Sequence, residues 1–384
     1  MTDSQSAIVI KKAEIFVFRA PIDEPVRTSF GIMRDRPAVL LRLEDADGAH
    51  GWGEVWCNFP ACGAEHRGRL LESVIAPLLI GQSFSSPTAA YKYLCEKTRI
   101  LALQADEPGP LAQTAAAADL ALWDVFSRRQ NLPLYRFLGG TGGGVMPAYA
   151  SGINSTGVLA SIEKSRKQGY RAFKFKIGFN AEQDMRNIRE AAASLKAGEG
   201  LAVDANQAWE LPFALEFAAK LKETPLAWLE EPLRCDTHLS QWGILQQHCP
   251  VPLAGGENIR DAGDFHAVIH SKFLTVIQPD ICKWGGLSGC LPVAKAALAA
   301  GLRYCPHYLG GGIGLMASAH LLAAVGGDGL LEIDVNANPL REALARPYPE
   351  IEDGMLRLGG EPGVGVEPAI QELESLRVMY KELS

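Results

Sequence analysis

The chain has 384 residues, of which 47% are hydrophobic and 21% charged, with a formal net charge of −7. Such a length accommodates a β/α barrel of about 250 residues plus a second unit of roughly a hundred, and the composition excludes intrinsic disorder. The acidic balance and the lack of any dense Lys/Arg run exclude a broad nucleic-acid footprint.

Eight cysteines without CxxC pairs suit reduced thiols better than a disulfide framework or a zinc cluster. The first twelve residues lack the basic-then-apolar order of a signal peptide, so a cytoplasmic location is expected. Tyr304 to Gly327 holds no Asp, Glu, Lys or Arg, but Pro306, two histidines and many glycines argue for a strand, a glycine loop and a helix rather than a membrane span.

In chain order, residues 8–19 alternate as a strand, and Ala38 to Glu54 reads as a hairpin turning at Asp47-Gly48. Between them Pro25 to Arg36 has little period and is expected to be a mobile loop. Helical spacing follows over Glu65–Leu79, Ala89–Leu103 and Leu111–Arg129, so residues 1–135 form an α+β unit. The glycine run at 138–144 is the linker, and Met146 to Ser151 is the first strand of a barrel spanning residues 145–354. Asn180-Ala-Glu-Gln183 carries a capping-box pattern before a helix, and further helices are expected at Phe213–Lys222, Ala262–Ser271, Gly289–Ala300 and Gly314–Val325. Residues 355–384 are expected to leave the barrel and pack back on the first unit.

Within the barrel, apolar runs end in one ionisable residue at nearly constant spacing: Lys176, Asp204, Glu230, Glu257, Asp280, His307 and Glu332, separated by 28, 26, 27, 23, 27 and 25 residues. One strand and one helix fill each gap, and in a closed parallel barrel these strand ends converge on one face. Asp204, Glu230 and Glu257 make an all-oxygen ligand set suited to Mg²⁺; alternation points only one of Glu230 and Glu231 inward, and the gaps to Asp204 and Glu257 select Glu230. Lys174 and Lys176 share a face of one strand, where mutual repulsion favours the neutral form of one as a base. His307 with Asp280 one strand earlier forms an acid/base pair. No two histidines stand two apart, as a metal-dependent amidohydrolase barrel would need.

Together these residues resemble the enolase superfamily, and within it the mandelate racemase subgroup. The matching motifs are Lys-Phe-Lys at 174–176, Val-Asp-Ala-Asn-Gln at 203–207, Glu-Glu-Pro at 230–232, Gly-Glu-Asn at 256–258, Pro-Asp-x-x-Lys-x-Gly-Gly at 279–286 and Pro-His at 306–307. Asp280 and Glu257 stand where the muconate-lactonising and dipeptide-epimerase subgroup would carry Lys and Asp. The resemblance implies a modified (β/α)₈ barrel, (β/α)₇β, with an N-terminal α+β capping domain completed by the C-terminal tail. It implies Mg²⁺ held by Asp204, Glu230 and Glu257, Lys176 as a base assisted by Lys174, and the Asp280–His307 dyad opposite. Glu332, or Asp334 in its place, would donate a hydrogen bond to a substrate carboxylate, with Asn206 and Lys283 beside the substrate. The activity implied is abstraction of the proton α to a carboxylate through an enediolate: dehydration of a sugar acid or, with the same residues, racemisation or epimerisation of a 2-hydroxy acid. A non-catalytic binding barrel is the remaining alternative. The partner is a small carboxylic acid, with no nucleic acid or membrane, and the resemblance implies a homo-oligomer, dimer or octamer. Two stretches, Arg27–Arg36 with Phe30 and Arg34, and Trp56–Cys62 with Asn58 and Phe59, are expected to read the distal part of the substrate.

Overall fold

A computed structural model describes residues 7–384. The N-terminal part is an antiparallel sheet in the order Arg377–Leu383, Ile8–Arg27, Ile32–Asp45, His50–Val55, backed by helices Pro87–Ala105 and Pro108–Arg129 and by a helical run from Gly63 to Leu79. That run passes through a π-helical turn at Leu71–Ile75, just before Pro77, which has no N–H to donate and crowds the preceding carbonyl. Pro25 to Arg36, expected as a mobile loop, is mostly strand. Val26 pairs with Met33 and Arg27 with Ile32 beyond an irregularity after Pro21, so only Thr28 to Gly31 forms the tip. The alternation is hidden because several of these residues are exposed and need no apolar side chain.

Eight parallel strands follow: Val145–Ile153, Ala172–Lys176, Gly200–Asp204, Leu229–Glu230, Leu253–Gly255, Val276–Ile277, Arg303–Tyr304 and Leu331–Asp334. Each of the first six pairs with the next, and Leu331–Asp334 pairs with Ala148–Ser151, joining the last strand to the first. Helices connect them, including Leu239–His248, which sequence periodicity did not reveal. The capping box is only half formed. Asn180 accepts the Gln183 N–H, but Asp184 rather than Gln183 answers the backbone N–H groups of residues 178–180. Gly312–Val325 is a 14-residue helix, and no helix among the described residues is long and apolar enough to cross a membrane.

Not all of 355–384 leaves the barrel. Met355–Arg357 pairs antiparallel with Val145–Pro147 at the foot of the first strand, and only Arg377–Leu383 joins the N-terminal sheet.

The barrel interior is stacked by strand alternation. Tyr149, Ala202, Trp228, Ala254, Val276 and Cys305 form an apolar plug. Two residues further along each of these chains, on the same face, stand Ser151, Asp204, Glu230, Gly256, Gln278 and His307. Apolar floor thus gives way to polar layer within one pleat. Gly256 has φ 143°, and a Cβ there would meet the Gln278 backbone at 2.8 Å, so no other residue fits without displacement. Glu257 and Asp280 therefore lie in the loops after Leu253–Gly255 and Val276–Ile277, one and two residues past those inward positions.

Candidate active site

The buried strand ends form one ionic network. Lys174 Nζ donates to Glu230 Oε1 and Oε2 at 2.6 and 2.7 Å and lies 2.8 Å from Glu332 Oε1. Lys176 Nζ donates to Asp204 Oδ2 at 2.5 Å. Asp204 is also bound by Asn206, through its N–H at 2.7 Å and its amide at 3.1 Å. Positive φ at Asn206 (44°) and Gln207 (64°) folds the chain back so that these donors reach. Glu257 faces Lys283 Nζ at 2.8 Å and His307 Nε2 at 3.2 Å, and His307 Nδ1 bonds Asp280 Oδ2 at 2.8 Å. Two further N–H groups, of Cys282 and Lys283, hold Asp280 Oδ1.

Alternation does send Glu230 inward, beside Trp228 Nε1 and the Gln278 amide, which donate to it at 3.0 and 2.7 Å. It does not send Glu231 outward to solvent. With φ 39° Glu231 leaves the strand and stays buried, accepting from Asn258 at 3.0 Å.

Charge decides the protonation pattern. Burial opposes the charged form of Lys174, but Glu230 and Glu332 outweigh it and push its pKa well above the ordinary value; Asp204 does the same, less strongly, for Lys176. The repulsion expected between the two lysines is present at Lys176 but smaller than the attraction of Asp204. His307 resists desolvation through Glu257, Glu332 and Asp280, and is raised to about 9, an imidazolium at neutral pH. Burial raises Glu230 to about 7, with Asp204 and Glu332 adding to the effect of burial against Lys174.

Although burial favours the neutral form of Glu332, Lys174 and His307 bring it to about 2, and it accepts from Ser151 Oγ and the Tyr308 N–H. Glu332 lies behind the residues that line the cavity. Asp334, the alternative, is taken by Arg36 Nη2 at 2.5 Å and by Asn336.

A cavity of about 380 Å³ opens between this network and the capping domain. Lys176, Asn206, Glu257, Lys283 and His307 line its barrel side; Phe30, Trp56, Asn58 and Phe59 line the other. Phe30 and Phe59 meet edge to face at 5.1 Å, and Ser29 Oγ donates to the Asn206 carbonyl at 2.7 Å, docking the hairpin tip on the third strand's loop. Lys283 lies 4.6 Å over the Trp56 ring. Arg34 does not reach the cavity. Among the lining residues that the sequence did not single out are Arg67, Gln113 and Arg260. Arg67 was detectable, because it falls between Ala64 and Leu71 on the apolar face of its helix, where a charge is out of place.

Among the described residues no three acidic, His or Cys side chains stand as a ready-made metal site, since Asp204, Glu230 and Glu257 each hold a lysine. The donor chemistry nevertheless fits a hard divalent cation. Six buried carboxylates (Asp204, Glu230, Glu231, Glu257, Asp280, Glu332) face three lysines and one histidine, and the buried Asn206 Oδ1 has no partner.

The fold and this site define a barrel enzyme of the enolase type. The "Enolase C-terminal domain-like" family model matches residues 157–373, and "Mandelate racemase / muconate lactonizing enzyme, N-terminal domain" matches 12–139. The chain belongs to the mandelate racemase/muconate lactonizing enzyme family of the enolase superfamily. It is similar to a solved mandelate racemase/muconate lactonizing enzyme from Bordetella bronchiseptica RB50, at 49% identity and TM-score 0.90 over 97% of this chain and 100% of that one. A racemase from Streptomyces coelicolor A3(2) with bound magnesium is 25% identical, TM-score 0.86, over 96% of this chain and 100% of that one. Arabinonate dehydratase from Saccharolobus solfataricus is 27% identical over 85% of this chain and 87% of its own length. Other relatives over most of the chain are cycloisomerases and racemases, so the homologues are lyases and isomerases.

Proposed function

We propose that this protein is a Mg²⁺-dependent sugar-acid dehydratase that removes the proton α to a carboxylate and expels a β-hydroxyl. The observation that carries the reading is that Lys176 and His307, the latter held by Asp280, line one cavity beside an excess of buried carboxylates. Asp204, Glu230 and Glu257 would hold the cation, with Asn206 Oδ1 as a spare oxygen nearby. When bound, the cation supplies positive charge where the substrate carboxylate becomes an enediolate.

The chain's own residues do the rest. Lys176 accepts the α-proton in its neutral form, which Lys174 favours and Asp204 opposes. His307, held as imidazolium with Asp280 on Nδ1, presents Nε2 as the acid that protonates the departing hydroxyl. The Phe30–Phe59 pair and Trp56 exclude water from the mouth.

The same two groups, used as opposing bases, would serve a racemase or epimerase of a 2-hydroxy acid, and racemases are among the relatives. Incubation of aldonic, aldaric and small hydroxy acids with enzyme and Mg²⁺ in deuterated water separates the two. A dehydratase forms ketone; deuterium uptake with inversion and no ketone assigns the racemase. Chelation should abolish either activity, and Glu257→Gln should weaken Mg²⁺ binding by calorimetry, unchanged affinity removing Glu257 from the ligands.

A further inference from the structure

The cavity wall is markedly basic. Of its charged residues only Glu257 is an acid, against Arg67, Lys176, Arg260, Lys283 and His307. Three of these bases are already answered, Lys176 by Asp204 and Lys283 and His307 by Glu257. The two arginines are not. Arg67 is only 4% exposed, yet among the described residues no carboxylate oxygen lies within 4.0 Å of it. Its Nε donates to the neutral Gln113 Oε1 at 2.9 Å, and Nη1 has only the Gly63 carbonyl and His66 Nδ1, both at 3.5 Å. Arg260, on the loop after the fifth strand, is likewise without an acid partner and reaches over the start of helix Pro108–Arg129, its Nη1 3.0 Å from where a Cβ on Gly109 would stand.

An arginine stays charged at any physiological pH, and burying it without a counter-ion is unfavourable. The cost is sensible where a ligand supplies the missing charge. Arg67 belongs to the capping domain, on the wall facing the barrel's Lys176 and His307, so that charge would come from the end of the substrate remote from the reacting carboxylate. Gln113 is placed to help, since its oxygen is spent on Arg67 and its amide N–H groups have no partner in the protein.

We propose that Arg67, with Arg260 and the Gln113 amide, forms a distal anion subsite, and that the substrate is a hydroxy acid with a second negative group at its far end, a carboxylate or a phosphate ester. The inference rests on the dehydratase reading for the position of the reacting end, but its test does not. Calorimetry in Mg²⁺ buffer with galactarate, 6-phosphogluconate and galactonate compares a distal carboxylate, a distal phosphate and a neutral hydroxyl on six-carbon chains. At least one doubly charged acid should bind about tenfold or more tighter than galactonate, as expected for charge-assisted hydrogen bonds. Arg67→Met should erase most of that preference while leaving galactonate affinity within about twofold. Because Arg67 is buried, Arg260→Ser provides a surface variant that should reduce the same preference by about threefold or more without touching the fold. Equal affinity for all three acids, absence of binding by both doubly charged acids, or a preference that survives both substitutions overturns the subsite. A protein that binds the doubly charged acids but neither exchanges an α-proton nor forms ketone keeps the subsite and loses the dehydratase reading; one that turns over only galactonate does the reverse.

Discussion

Two sets of buried acids occur in this molecule, and what answers them differs. At the barrel mouth Asp204, Glu257 and Glu332 face side-chain cations. At the seam between capping domain and barrel the acids face mainly backbone. Glu54 accepts the Gly311 and Gly314 N–H groups at the start of helix Gly312–Val325. Asp119 accepts the Ser288 N–H and hydroxyl at the start of helix Gly286–Ala299, and Asp124 takes the Trp52 and Val364 N–H groups together with Arg128. Helix N-termini offer only partial positive charge. Burial therefore wins at the seam, raising Glu54 and Asp124 and taking Asp119 to about 7, whereas at the mouth it prevails at Glu230 but is overcome by cations at Glu257 and Glu332, which are both lowered. A backbone donor cannot leave, so the seam acids hold one arrangement. A lysine or histidine can exchange its partner or its proton, which is what chemistry at the mouth requires.

Substitutions should separate the two sets. The largest effect is expected at the mouth: Lys176→Ala and His307→Asn should each lower kcat by about 10⁴-fold, the upper end for general acid–base groups. Circular dichroism melting in Mg²⁺ should move less for either than for a seam variant; a greater loss of melting temperature than of turnover would make the pair structural. If His307→Asn still exchanges the α-proton, Lys176 is the abstracting base and His307 acts later.

At the seam, Glu54→Ala strands two buried N–H groups and should cost about 3 kcal/mol, seen as a drop of several degrees in Tm. Metal affinity should be unchanged, because Glu54 belongs to the other network.

A smaller, pH-dependent effect sharpens the contrast. His320 is buried, accepts the Tyr135 N–H on Nδ1 and bonds the Val364 carbonyl through Nε2, so it ties the end of the N-terminal segment to the C-terminal tail. Burial lowers its pKa from 6.5 to about 4. The folded form binds fewer protons than the unfolded one in that window, so stability falls as pH drops through 6.5 and stops falling on this account near 4. The loss at pH 5 should be about 2 kcal/mol. His320→Gln, which keeps one acceptor and one donor, should flatten the Tm profile between pH 7 and 5; an unchanged slope assigns it to other groups.

Spacing alone placed seven ionisable residues at the ends of barrel strands, because a strand–helix repeat has a nearly fixed length and an apolar run must end where the strand leaves the core. The same spacing marked Glu230 rather than Glu231 as inward, and the family resemblance located the charged motifs. Height above the apolar plug was not legible. Glu257 and Asp280 are offset into loops because Gly256 and Gln278 occupy the inward positions, and offsets of one and two residues leave no trace in the spacing. Nor was partner choice. The two lysines read as mutually repelling from their spacing, but carboxylates from three other strands hold them charged, a balance set only when the barrel closes. Arg36 and Asp334, paired in the fold, are far apart in the chain, and Arg67 meets the barrel's cavity only across a domain seam. Local pattern reports which face a side chain takes; the long-range packing of two domains decides which charge it finds there.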